Sequence, residues 1–407
     1  MVGHGPSDMA TTASAEDRAM KLPRDRHLFS AGPKRMLALD GGGVRGIVSV
    51  AFLERLEAIL RERTGDPDYR LSSYFDLIGG TSTGAIIATA LAMGKSVGEV
   101  KQIYLDLAPK LFRRWRWRLF GWQSKFDHTP LLDIMRMQIG DRTLDSPDLL
   151  TGLAIVAKRF DTGSPWVLTN NPQAKYWADP PDGSHVGNHG YRLADLVRAS
   201  TAAPLFFAPQ EISVATGQAA GLFIDGGVSP HNNPSLQLLM LAGIEAYGFG
   251  WPLGADNLLL ISIGTGNFRD KLDGSWGTRT PAAAFAVKAL TGMIANGGDL
   301  VLTLMQWMSD PVRRWHIDSE IGDLGTSSIL GGRPLLSFQR FDMPLDAGWI
   351  EAEIGERVAS EVLARLRHID DARAIPHLYD LASRTAARQV APDHLPASFD
   401  LPRPPAP

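Results

Sequence analysis

The 407-residue sequence contains no cysteine. That absence excludes disulfide staples, thiol nucleophiles and thiolate metal sites, and it carries no sign of an oxidising compartment. A strong charge imbalance is also missing: 41 Lys and Arg against 44 Asp and Glu leave a net charge of -3. Such a chain has no global attraction to nucleic acid, so any basic binding surface must be local and no nucleic-acid partner is expected. No apolar run reaches the length a membrane-spanning helix needs, and residues 1–30 lack the apolar core of a signal peptide. The expectation is a cytoplasmic protein that meets a membrane, if at all, peripherally.

A chain of this length can bury a large core in one big domain or two ordinary ones. Residues 1–32 are polar, rich in Ser, Gly and Pro and without periodicity, which predicts a disordered lead-in. The body of the chain is predicted to occupy residues 33–345, followed by a helical extension over 346–390 and a disordered, proline-rich tail over 391–407. No repeat of solenoid period occurs.

Within the body, a short apolar run ends at Asp40-Gly41-Gly42-Gly43-Val44-Arg45-Gly46 and is followed by a helical pattern from Ile47 to Leu60. This reads as strand, glycine turn and helix start, a geometry that aims backbone N–H groups at an anion. The plan repeats: Tyr74–Ile78 is a predicted strand, Gly79 to Gly84 a turn, and Ala85–Met93 a buried helix. Two such units in succession argue for a parallel sheet. Ser96 and Glu99 form a capping-box pattern opening a helix that Pro109 should stop. Further strands are expected at Ala154–Ala157, Trp166–Thr169, Leu222–Ile224, Leu258–Ile263 and Leu336–Phe341, with helices at Leu193–Ser200, from Pro281 onward and through Trp349–Gln389.

Gly80-Thr81-Ser82-Thr83-Gly84 has the Gly-x-Ser-x-Gly pattern of a nucleophile elbow, in which a serine is forced onto a sharp, exposed strand-to-helix turn. The pattern alone is only suggestive, and its strand-before, helix-after context is the stronger signal. Asp225-Gly226-Gly227 adds a carboxylate at the C-terminal end of a predicted strand, the edge of an α/β sheet where ligands bind. An isolated Asp-Gly-Gly would mean no more than a turn. Gly41, Gly43 and Gly46 also satisfy a dinucleotide fingerprint, but its confirming carboxylate is missing: Asp66 has the spacing and sits in a helix stop.

Taken in order, the glycine loop, the elbow and the Asp-Gly-Gly resemble the patatin-like phospholipase family over roughly Lys34 to Leu345. Arg198-Ala-Ser200 with Pro204, Asn233-Pro234 and Ser262-Ile-Gly-Thr-Gly266 strengthen the resemblance. It implies a three-layer α/β/α fold with a mainly parallel central sheet and a helical C-terminal region. The activity it implies is that of a lipid acyl hydrolase of phospholipase A type acting on membrane glycerophospholipids or other acyl lipids. In that reading Ser82 is the nucleophile and Asp225 its base, without a histidine. Gly42 and Gly43 supply oxyanion N–H groups, Gly41 and Gly46 shape the turn, Arg45 steadies the loop or adds charge, and Gly80, Gly84, Gly226 and Gly227 support the two motifs. No cofactor and no metal are implied.

Two other readings stay open. An ordinary α/β-hydrolase would need a histidine after the acid, for which His316 is the formal candidate and His231 lies nearby. A catalytically silent lipid-binding scaffold would need no elbow serine. A separate feature is the cationic, aromatic stretch with Arg113, Arg114, Trp115, Arg116, Trp117, Arg118 and Trp122. Rings and guanidinium groups of this kind suit a lipid headgroup region, and they equally suit a basic helix with its tryptophans packed inward. The oligomeric state is not legible.

Overall fold

The computed structural model describes residues 22–111, 129–204, 206–268 and 282–401. In chain order it has α1 (Pro23–Phe29), β1 (Lys34–Leu39), α2 (Gly46–Thr64), α3 (Leu71–Tyr74), β2 (Leu77–Thr81), α4 (Thr83–Ala92), α5 (Val97–Leu111), α6 (Thr129–Ile139), β3 (Gly152–Arg159), β4 (Pro165–Thr169), α7 (Leu193–Ser200), β5 (Gln210–Ile212), β6 (Gly221–Asp225), α8 (Ser235–Gly243), β7 (Leu258–Ile263), α9 (Ala282–Trp307), β8 (Ser337–Phe341), α10 (Ala347–Ile354), α11 (Ser360–Leu366) and α12 (Ile375–Gln389).

Five strands, in the order β3-β2-β1-β7-β8, run parallel. β4 and β6 join β3 antiparallel, and β5 joins β6. The sheet is therefore mixed and mostly parallel. Its central strands read as unbroken apolar runs because both faces are covered. On β1 and β7 alternate side chains part to opposite sides: Leu37, Leu39, Leu259 and Ile261 enter one core with α2 and α12. Met36, Ala38, Leu258 and Leu260 enter the other with α8 and the C-terminal half of α9. This gives the three layers and the helical C-terminal region expected. Along α2, Phe52, Leu53, Leu56 and Leu60 are buried, each contributing about 1.5–3 kcal/mol. Gly65 ends the helix in a left-handed cap with its N–H on the Arg61 carbonyl at 2.9 Å.

Four local readings differ from expectation. The helix expected to stop at Pro109 runs past it, as α5 to Leu111. The strand predicted at Tyr74–Ile78 begins at Leu77 and runs through Gly79 and Gly80, which the sequence pattern put in the turn. Leu238 of α8 packs so close to Gly79 that a Cβ there would collide with it. The residues expected to form a disordered lead-in include α1, where Arg24 is buried and donates to the Leu144 carbonyl at 2.9 Å and to Asp145 at 2.6 Å. Polar anchoring of this sort leaves no apolar period to read. Likewise Leu395 and Phe399 of the proline-rich tail are buried, with their carbonyls taken by Arg63 at 2.7 Å and Arg35 at 3.2 Å.

Candidate active site

Ser82 stands where β2 becomes α4, with φ 55° and ψ -123°, one of two non-glycine residues at positive φ among those described. Such a conformation costs of order 1–3 kcal/mol and must be held by its surroundings. Gly80 and Gly84 make it possible by lying back to back: a Cβ on Gly80 would strike the Gly84 carbonyl. The half-buried serine points its Oγ at Asp225 Oδ2 and donates to it at 2.6 Å.

The register of β3 explains how a residue 143 positions away in sequence reaches Ser82. Along one edge β3 pairs with β4. Along the other it pairs first with β2, up to Val156 opposite Thr81, and then with β6, from Ala157 opposite Asp225. The two strands run toward each other and their C-terminal ends meet. Asp225 then caps a short 3-10 turn, its Oδ1 accepting the Gly227 N–H at 2.7 Å. Burial pushes this carboxyl up to about 6, against the opposing pull of the Ser82 hydroxyl, the Gly227 N–H and the Arg198 charge. A carboxylate of that basicity is a far better proton acceptor than free Asp.

Beside the pair lies the glycine loop. Gly41 gives its N–H to the Asn232 carbonyl at 3.1 Å, and its own carbonyl accepts from Thr265 Oγ1 at 3.0 Å. The Gly42 carbonyl accepts the Arg45 N–H at 3.2 Å. In a trans peptide the N–H points opposite the carbonyl, so the N–H groups of Gly42 and Gly43 face away from these partners. Among the described residues nothing accepts from either N–H, and both residues line the cleft. Gly43 takes φ +59°, and its carbonyl accepts from Thr83 Oγ1 at 3.0 Å and from the Tyr104 hydroxyl. Gly46 opens α2 and packs where a Cβ would meet Thr83. The loop thus leaves two neighbouring main-chain N–H groups without an acceptor among the described residues.

Arg45 serves the loop from behind. Its Nη1 donates to the Gly266 carbonyl at 2.6 Å and its guanidinium sits 5.1 Å from the Phe268 ring, with burial pulling it down to about 10. Asp40, at the base of the loop, meets a buried ion network unforeseen in the sequence. Arg340 Nη2 lies 2.7 Å from Asp40 and 2.8 Å from Asp342, and Asp342 in turn accepts the Gly266 N–H at 2.8 Å. Burial pushes Asp40 up to about 6 while Arg340 pulls against it. The contacts of Asn232 and Ser200 are likewise not legible in the sequence. Ser200 had a signal, since it closes the Arg198-Ala-Ser200 motif; Arg340 had none.

The histidines take no part in this constellation. His231 is buried, its backbone carbonyl accepting from Thr81 Oγ1 at 2.6 Å, and burial lowers its pKa. His316 is exposed on the cleft wall. Neither bonds to Ser82 or Asp225 among the described residues. The same set holds no cluster of three His, Asp or Glu that could bind a metal ion.

Ser82, Asp225 and the glycine loop form the floor of one cleft of about 1850 Å³. Its walls include Ile86, Ile103, Phe206 and Phe207, and α9 contributes Leu290 and Ile294. Phe285 and Met293 of the same helix are 60% and 71% exposed. No described helix is long and apolar enough to cross a membrane. Of the arginine and tryptophan stretch, Arg113 to Trp122 lie outside the described residues.

Residues 37–239 match the family model described as patatin-like phospholipase. A cGAMP-activated phospholipase of Escherichia coli (strain TW11681) is 33% identical over 206 residues, 49% of this chain and 53% of that protein. A cUMP-AMP-activated phospholipase of Escherichia coli is 36% identical over 203 residues, 50% of this chain and 57% of that one. Patatin group J-1 of Solanum tuberosum is 28% identical over 246 residues, 57% and 60% of the two chains. The chain thus spans about half to three fifths of the length of these relatives. Among solved structures, human GIVD cytosolic phospholipase A2 aligns over 95% of this chain and 63% of its own, with TM-score 0.42 and 10% identity.

Proposed function

Residues 37–239 being a patatin-like phospholipase domain, we propose that the protein is a lipid acyl hydrolase of phospholipase A type, cleaving carboxylic esters of membrane glycerolipids through Ser82 and Asp225. The observation that carries the proposal is the 2.6 Å contact of Ser82 Oγ with a buried carboxylate, beside two loop N–H groups that have no acceptor among the described residues and line an apolar cleft. Ser82 Oγ attacks the ester carbonyl carbon as its proton passes to Asp225 Oδ2. The tetrahedral oxyanion is held by the Gly42 and Gly43 N–H groups. Its collapse breaks the ester C–O bond, and Asp225 returns the proton to the departing lysolipid alcohol. Water then attacks the acyl-serine, Asp225 taking its proton and passing it back to Ser82 as the fatty acid leaves. The apolar walls suit acyl chains, and the exposed Phe285 and Met293 suit approach to a lipid surface. In this reading Arg113, Arg114, Arg116, Arg118 and the neighbouring tryptophans add peripheral contact with anionic lipid.

The test is mass-spectrometric identification of products from a mixed lipid extract incubated with the protein and with Ser82→Ala. Parallel samples contain cGAMP or cUMP-AMP, the activators for which two relatives are named. Release of fatty acid and lysolipid by the protein alone or with a nucleotide, absent in Ser82→Ala, is expected. Equal release by both proteins would overturn the assignment.

A further inference from the structure

We propose that the end of α7 positions the reacting pair: Ser200 fixes Ser82 through its main-chain N–H, and the segment that follows holds Asp225 by its own main chain. The inference rests on the reading of Ser82 and Asp225 as nucleophile and base.

The ladder between β2 and β3 ends at Thr81 opposite Val156, and the next residue of β3 already faces Asp225. Ser82 leaves the sheet in this gap, which would strand its N–H and the Val156 carbonyl. The Ser200 hydroxyl fills the gap, donating to Val156 O at 2.6 Å and accepting the Ser82 N–H at 2.8 Å. A hydroxyl has one proton, so giving it to the carbonyl leaves a lone pair for the N–H and sets a single orientation. Ser200 is fully buried, and the contact ties the strained elbow directly to β3. The segment after α7 also holds the partner, since the Asp225 N–H donates to the Ala202 carbonyl at 3.0 Å.

The experiment compares Ser200→Ala with the unaltered protein on a soluble short-chain ester, together with the rate of covalent labelling by an alkyl fluorophosphonate. Urea unfolding checks that each variant is folded. Ser200→Ala should lower kcat and the labelling rate together, by on the order of tenfold to a hundredfold, with KM little changed because the cleft walls are untouched. If Ser200→Ala cannot be purified folded, Ser200→Cys, of similar size and weaker hydrogen bonding, gives the same comparison. Unchanged kcat and labelling in folded Ser200→Ala would overturn the proposal. Full turnover by Ser82→Ala would instead overturn the underlying assignment along with it.

Discussion

Replacing Asp225 by Asn should make the protein more stable while removing its activity. The carboxyl rises from an ordinary 3.8 to about 6 on folding, chiefly through burial, which corresponds to about 3 kcal/mol of stability forgone once the group ionises. The sign follows from proton binding: between those two values the folded protein binds more proton than the unfolded chain, so stability falls as pH rises through the window. Asn carries no charge to desolvate. Its carbonyl can still accept the Gly227 N–H, and its amide can donate to the Ser82 hydroxyl, so both contacts of the site persist. Urea unfolding of the two proteins at pH 4, 5, 6, 7 and 8 should therefore give similar free energies at pH 4. The advantage of Asp225→Asn should then grow to as much as about 3 kcal/mol at pH 7–8. A variant no more stable than the parent at pH 8, or an advantage independent of pH, would refute the claim that Asp225 is held against its solvation preference.

Breaking the Asp40–Arg340–Asp342 network with Arg340→Met leaves two carboxylates buried without their cation, and urea unfolding at pH 8 should show a loss of about 3–5 kcal/mol. That loss should shrink below pH 6, where Asp40 can take a proton. His231→Ala and His316→Ala should keep most ester turnover, and a folded histidine variant as inactive as Ser82→Ala would move the assignment to a histidine-containing triad. Reversing the charge of two or more of Arg113, Arg114, Arg116 and Arg118 should reduce binding to anionic vesicles in a salt-sensitive way while sparing hydrolysis of a soluble ester. Equal loss on both substrates would show a structural role for that stretch.

The parts of the site legible in the sequence are those whose chemistry is local. A glycine loop between an apolar run and a helical pattern, and a serine between two glycines in the same setting, each signal a backbone conformation within a few residues. β7 and α7 were readable for a related reason: a buried parallel strand is uniformly apolar, and a short helix against a sheet has one apolar face. What escaped depends on packing between distant segments. Gly79 and Gly80 look like a turn until Leu238 and the backbone of α4 are seen pressing on the strand. Asp40 and Arg340 are 300 residues apart, and no spacing rule links them. Ser200 reads as the end of a helix, and only the end-to-end meeting of β2 and β6 on one edge of β3 reveals the gap it fills. α1 is invisible because it is one short helix that gives the core a single buried apolar side chain, Leu28, while Arg24 is held by polar contacts to Leu144 and Asp145.

The central claim, that Ser82 is a nucleophile activated by Asp225, is tested most directly by mapping covalent adducts. The protein, Ser82→Ala and Asp225→Asn are treated with an alkyl fluorophosphonate at pH 7.5, with and without cGAMP or cUMP-AMP, and digested for mass spectrometry. The account predicts one phosphonyl group, on the peptide carrying Ser82, absent in Ser82→Ala and formed far more slowly in folded Asp225→Asn. Stoichiometric labelling of another residue, or labelling of Ser82 at an undiminished rate in Asp225→Asn, would contradict it.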